Sequence, residues 1–157
     1  MVRRPAVFLD RDGTLVELVP DPETGAPVGP LHPEQLVLRR HAARFVRGLN
    51  ELGYLCLVVT NQPGLAKGTL TLERLARVHE RLYADLRAGG AYLDGIEFCP
   101  HHPSPGARGR RQWAGPCGCR KPEPGLVLAA AATHGVELRR SYLVGDQPTD
   151  VRSLPKK

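Results

Sequence analysis

The chain has 157 residues, enough for one domain with a buried core. At 41% apolar and 24% charged it has the composition of a soluble globular protein, and no apolar run nears the ~20 residues that span a bilayer. The formal net charge of +6 either serves solubility or favours anionic partners: nucleic acid, acidic lipid or phosphorylated metabolites.

The opening "MVRRPAVFLDRDG" has an apolar run too short for a signal peptide, so the expected location is the cytoplasm. There, four cysteines read as thiols or metal ligands rather than disulfides. The run "AVFL" predicts a first strand, which ends at "DRDGT". "HAARFVRGLNELG" places Ala42, Phe45, Val46, Leu49 and Leu52 at helical spacing, with Gly53 as the stop. "LCLVV" is a second strand ending at "TNQPG", and Cys56 within it reads as a small core residue. "TLERLARVHERLYADLRAGG" puts Leu75, Val78, Leu82 and Leu86 on one stripe, with Thr71 as cap and Gly89-Gly90 as end. "GIEFC" predicts a further strand before a long loop. "EPGLVLAAAATHG" is a helix with Pro124 just inside its start and Gly135 past its end. "YLVG" is a last strand that stops at "GDQPTD", where Pro148 is expected to delay any following helix.

This alternation predicts an open, doubly wound parallel α/β sheet with right-handed crossovers. Ligands of such sheets lie outside the carboxyl ends of the strands, where the polar clusters fall. Asp10, Asp12, Thr60, Asn61, Asp146 and Asp150 should therefore converge, with Lys121 preceding the last predicted helix. Four carboxylates in one crevice call for a cation, and this oxygen-rich set suits Mg²⁺ with a substrate phosphate. A calcium-loop reading fails, because Gly13 is fourth from Asp10 and Thr14 stands where a third acidic ligand belongs.

A second metal pattern lies in "CPHHPSPGARGRRQWAGPCGCRK": C-x-H, fifteen residues, then C-x-C. Three thiolates and one imidazole match a closed tetrahedral structural zinc site. The expected ligands are Cys99, His101, Cys117 and Cys119; His102 is the alternative imidazole, and the alternating spacing favours His101. A filled site would order a loop rich in Pro and Gly and hold Arg120 and Lys121 over the crevice.

"DRDGT", "VVTN", "CRKPEPG" and "VGDQPTD" resemble, in order, the four motifs of the haloacid dehalogenase (HAD) superfamily of phosphotransferases, over residues 6–151. The resemblance implies a HAD-type Rossmann-like fold without a separate cap domain, and a single domain, 1–157, with a zinc loop at 99–119. It implies that Asp10 attacks phosphorus and that Asp12 serves as general acid and then base. It further implies Mg²⁺ on Asp10, the Asp12 backbone carbonyl and Asp146, with Thr60 and Lys121 holding the phosphoryl oxygens. Asn61 would help position the site. Asp150 would orient Lys121 or a metal-bound water, or else cap a helix.

With its C-x-H…C-x-C loop and "CRKP", the chain is similar to the D-glycero-D-manno-heptose 1,7-bisphosphate 7-phosphatases and their relatives, the histidinol-phosphate phosphatases. Specificity would then rest on "VELVPDPETGAPVGP", "QPGLAKG" and the zinc loop, with Arg120 facing a second phosphate. Arg108, Arg110 and Arg111 read as a solvated loop face that adds positive potential. Histidinol phosphate as substrate would want an acidic residue such as Asp21 or Glu23 near its amine. A polynucleotide 3'-phosphatase would use the positive charge, but 5% aromatic content supplies no stacking platform, and no nucleic-acid or membrane partner is expected. A non-catalytic zinc-bearing binding module would have no need of Asp10, Asp12, Lys121 and Asp146. Members of the family continue past the fourth motif with a helix and a strand, whereas this sequence stops at "VRSLPKK". An edge strand left open invites a second copy, so monomer or homodimer is expected.

Overall fold

The computed structural model describes residues 2–155; the last two residues of "VRSLPKK", Lys156 and Lys157, lie outside them. The four residues of β1 (Ala6–Leu9) are all buried, as a central parallel strand requires. The segment after it forms a small antiparallel hairpin, β2 (Val19–Pro20) with β3 (Pro27–Val28), too short to carry a periodic signal in the sequence. Helix α1 (Ala42–Glu51) leads to β4 (Leu55–Asn61), buried over its first six residues. A single turn, α2 (Gly64–Lys67), precedes the long helix α3 (Leu72–Ala88) and β5 (Gly95–Cys99). After the long loop come α4 (Gly125–His134), β6 (Tyr142–Val144) and α5 (Pro148–Arg152).

The four long-range strands are all parallel, in the order β5-β4-β1-β6. Their alternate residues feed two cores. Val7, Leu9, Cys56 and Val58 pack with Val46 of α1 and Val78, Leu82 and Leu86 of α3. Ala6, Phe8, Leu57 and Val59 face Leu126, Val127 and Ala130 of α4. A sheet covered on both faces is the doubly wound architecture expected from the sequence.

Local signals behave as physics requires, with three adjustments. Thr71 caps α3 by accepting the Arg74 N–H at 3.1 Å. Gly135 ends α4 in the left-handed region (φ 62°), but Pro124 stands at the N-cap, one residue outside the helix. Pro148 does not delay α5: it is its first residue, where the missing N–H is no loss and the fixed φ already suits a helix. The apolar stripe of α1 is wider than its buried face, for Ala42 and Val46 are buried while Phe45 and Leu52 are exposed. Strand β6 lies at the sheet edge, with Tyr142 exposed. Among the described residues no helix is long and apolar enough to cross a membrane.

Candidate active site

Strand order decides what meets at the carboxyl end of the sheet. Because β4, β1 and β6 are neighbours, Thr60 and Asn61, Asp10 and Asp12, and Asp146 and Asp150 surround one cleft of about 530 Å³. Arg120 and Lys121 line the same cleft from the long loop, so the seven expected catalytic, phosphate-binding or magnesium-binding residues and the supporting Asp150 share it. Asp10 is tied to β6 by its N–H, which donates to the Val144 carbonyl at 2.9 Å. The chain then turns sharply at Gly13 (φ 81°), where a Cβ would stand 2.3 Å from a carboxylate oxygen of Asp146. This close approach lets Asp146 sit against the first motif.

Lys121 holds the centre. Its ammonium donates to Asp10 Oδ1 at 2.8 Å, to the Val59 carbonyl at 2.9 Å, and to Asp150 Oδ1. All three N–H bonds are used and its side chain is 3% exposed. Its backbone is clasped by Asn61: the Lys121 N–H donates to Asn61 Oδ1 at 3.0 Å, and Asn61 Nδ2 donates to the Lys121 carbonyl at 3.2 Å. Asp150 meets Lys121, but it is not the N-cap of α5, which is Gln147; it is the third residue of that helix and its side chain reaches back to the N-cap. One oxygen takes Lys121, and the other accepts the Gln147 N–H at 3.0 Å and so closes the first turn of α5.

Burial pushes the Asp10 carboxyl up to about 7; Lys121 pulls it back, while Asp150 and Asp146 push it further up. One ammonium is therefore too little positive charge to keep Asp10 ionised at neutral pH. Carboxylate oxygens of Asp10, Asp146 and Asp150 lie within 4.8 Å of one another, so the cluster could hold a metal ion. The donor set is all oxygen and short of compensating charge, which fits a hard divalent cation.

Asp12 sits beside this cluster with its own partners. Its carboxylate accepts from Arg11 Nε at 2.7 Å and from Gln62 Nε2 at 2.9 Å, and Gln62 also donates to Thr60 Oγ1 at 2.9 Å. Neither Gln62 nor Arg11 was singled out by the sequence analysis. Gln62 directly follows Asn61 in "TNQPG", and a polar side chain at the end of a buried strand was the available signal.

The thiols of Cys99, Cys117 and Cys119 and Nδ1 of His101 form a second cluster, all within 4.8 Å of one another. The sulfurs are 3.0–3.7 Å apart. That is far beyond a disulfide of about 2.05 Å and near the ~3.8 Å edge of a tetrahedron with ~2.3 Å metal–sulfur bonds. Burial and the neighbouring thiols push Cys99 well up, so a cation is needed to hold three thiolates together. His102 is turned away, its Nδ1 accepting the Ser104 N–H at 3.0 Å. The Arg120 N–H donates to Cys117 Sγ at 3.3 Å, and its guanidinium to the His101 carbonyl at 3.1 Å, linking this cluster to the cleft. Cys56 is apart in the core, where burial and Asp94 push its thiol up to about 12.

The rim comes from the loops. Asp21 lines the cleft, but its Oδ1 is occupied by the N–H groups of Glu23 and Thr24, both at 2.9 Å, and by the Thr24 hydroxyl. Glu23 faces Arg108 at 2.9 Å, outside the cleft. Arg110 lies over Trp113, 5.6 Å from the ring centre. Lys67 lines the cleft with Arg120, and both charges act on the same His102 ring.

A family model described as HAD-hydrolase-like matches residues 118–153. The D-glycero-D-manno-heptose-1,7-bisphosphate 7-phosphatase of Thermosynechococcus vestitus is 39% identical over 150 residues, 94% of this chain and 72% of that protein. The D-glycero-beta-D-manno-heptose-1,7-bisphosphate 7-phosphatase of Rhodopseudomonas palustris is 36% identical over 96% of this chain and 78% of its own length. Among solved structures, D,D-heptose 1,7-bisphosphate phosphatase from B. bronchiseptica, complexed with magnesium and phosphate, superposes with a TM-score of 0.77 at 26% identity. The match covers 95% of this chain and 74% of that one.

Proposed function

This chain belongs to the family of D-glycero-D-manno-heptose-1,7-bisphosphate 7-phosphatases within the HAD-like hydrolases, and from that membership and its cleft we propose that it removes the 7-phosphate of the heptose bisphosphate through an aspartyl-phosphate. The observation that carries this reading is Asp10 at the cleft floor. Lys121 takes one carboxylate oxygen at 2.8 Å, and the other is approached by the Thr14 hydroxyl at 3.4 Å and has no ammonium or guanidinium on it among the described residues, which leaves it able to attack.

In the first step the free oxygen of Asp10 bonds to phosphorus and the bond from phosphorus to the sugar oxygen breaks. Protonated Asp12 gives its proton to that oxygen as it leaves. In the second step Asp12, now a carboxylate, takes a proton from water. The water oxygen bonds to phosphorus, the bond to Asp10 breaks, and inorganic phosphate departs. Thr60 offers its hydroxyl to the phosphoryl oxygens, and Lys121, whose three N–H bonds are already engaged, offers its positive charge. Mg²⁺ bound by Asp10, Asp146 and the Asp12 carbonyl would supply further positive charge against those oxygens. Zinc on Cys99, His101, Cys117 and Cys119 would serve structure alone. The chain acts as one capless cytoplasmic domain, 1–157, on this reading.

Lys67 and Arg120 at the rim favour a substrate with a second phosphate. Histidinol phosphate gains less support, because one oxygen of Asp21 is taken up by its own turn and Glu23 is outside the cleft. The test is phosphate release with Mg²⁺ from heptose 1,7-bisphosphate, histidinol phosphate and a 3'-phosphorylated oligonucleotide. Preference for the bisphosphate, lost in Asp10→Asn, is the expected result. Equal or better turnover of histidinol phosphate overturns the substrate.

Binding of Mg²⁺ should also depend on pH in a defined direction. The cation must displace the proton that burial keeps on Asp10 below about 7. Apparent Mg²⁺ affinity, read by calorimetry, is expected to rise by up to about tenfold per pH unit from about pH 5 and to level off above about pH 7. A flat profile would contradict this assignment of the ligand.

A further inference from the structure

We propose that Arg11 and His79 form a buried positioning pair that sets the place of the acid–base carboxylate Asp12. The inference rests on the phosphatase reading above and deepens it.

Asp12 stands just before the turn at Gly13 and belongs to no strand or helix that would fix its side chain, yet it is confined on three sides. Arg11 Nε donates to one oxygen at 2.7 Å and Gln62 Nε2 to the other at 2.9 Å. On the third side lies Gly29, the residue after β3, whose absent Cβ would come within 2.3–2.5 Å of both oxygens and the carboxyl carbon. Room for the carboxylate therefore exists only because residue 29 has no side chain.

Arg11 in turn has to be held. It is fully buried, and among the described residues its only other side-chain partner is His79 on α3, with Nη1 3.1 Å from Nε2. Desolvation and the adjacent guanidinium push His79 down to about 3, so its ring is unprotonated and Nε2 accepts. The His79 ring rests against Phe98 of β5, with centroids 6.1 Å apart. The remaining nitrogen, Nη2, is buried without a partner among the described residues. Leaving such a donor unsatisfied is unfavourable for stability, so a fold built for stability alone would place an apolar side chain here. A chain of contacts thus runs from β5 through His79 and Arg11 to Asp12. None of its first three members touches the cleft, for neither His79, Arg11 nor Phe98 lines it.

A displaced general acid has a chemical signature. The alkoxide of a sugar phosphate needs a proton as it leaves, whereas p-nitrophenolate leaves without one, so only the former depends on where Asp12 stands. The ratio of kcat/KM for the sugar phosphate to that for p-nitrophenyl phosphate is also internal to each preparation, so partial unfolding cancels. Arg11→Met and His79→Leu are expected to lower this ratio about 10–100-fold, with the aryl ester changed less than about threefold. His79→Gln, whose amide oxygen can accept from Arg11, is expected to restore most of it. Equal losses on both esters, or no difference between His79→Leu and His79→Gln, would overturn the proposal and leave the pair a packing feature. Wild-type hydrolysis of either ester, abolished in Asp10→Asn, tests the parent reading separately from this ratio.

Discussion

Lys121→Met is expected to lower kcat by at least about 100-fold and to destabilise the metal-free protein by about 3–5 kcal/mol above neutral pH. The substitution keeps the volume and removes the charge. It leaves Asp10 and Asp150, whose side chains are 10% and 2% exposed, facing each other without the ammonium between them. Breaking a buried ion pair by deleting one partner costs far more than the pair contributes, because the remaining charge has lost its water.

The pH dependence follows from the raised Asp10 carboxyl. A carboxyl whose folded value lies above its unfolded one, here about 7 against 3.8, contributes stability that is full below the unfolded value and lost as pH rises through about 7. Without Lys121 the folded value moves higher still, so the loss continues above pH 7. The gap between wild type and variant should therefore be large at about pH 8 and small near pH 4. Urea unfolding at both pH values, without added metal, checks this. A gap of equal size at both would mean that lost packing, not unpaired charge, is the cause.

Loss of the zinc proposed for the Cys/His cluster is expected to have the second large effect. Cys119→Ser, or a strong chelator, is expected to lower the melting temperature by about 6–12 °C, roughly 3 kcal/mol for a chain of this size. It should also reduce kcat/KM at a temperature where the protein is still folded. The reason is proximity along the chain. Cys119 stands two residues before Lys121, whose backbone is held by Asn61, and the Gly118 carbonyl accepts the Gly125 N–H at 2.9 Å where α4 begins. Loosening the C-x-C turn therefore frees the ammonium that faces Asp10. Metal analysis, a thermal scan and initial rates on one set of samples separate the possibilities. A fall in melting temperature with unchanged kcat/KM would show that the cluster supports the loop without positioning Lys121.

Much of this molecule can be read from its residues in order. Short apolar runs ending in polar clusters announce buried parallel strands, because a strand covered on both faces has no polar side to show. C-x-H and C-x-C spacings announce donors that can reach one point, and the alternation of C-x-H assigns His101 rather than His102, whose ring the fold directs to Ser104. Thr71 and Gly135 mark helix ends through local backbone chemistry alone.

Other features depend on distances that no stretch of sequence contains. Asp150 binds Lys121 and also reaches back from the third position of α5 to the N-cap Gln147, since a carboxylate has two oxygens and the fold brings a different donor to each. Asp21 looks wholly available in sequence, but one of its two oxygens is taken up by its own turn. Phe45 fits the stripe of α1, yet it stays exposed because burial requires a neighbour as well as a period. The ends of Arg11 and Gln62 meet Asp12 only once β4 lies beside β1 and α3 has packed beneath them. Periodicity, capping and ligand spacing are local and legible in order along the chain. Which strand adjoins which, and so which charges must share a crevice, is settled by packing the two faces of the sheet.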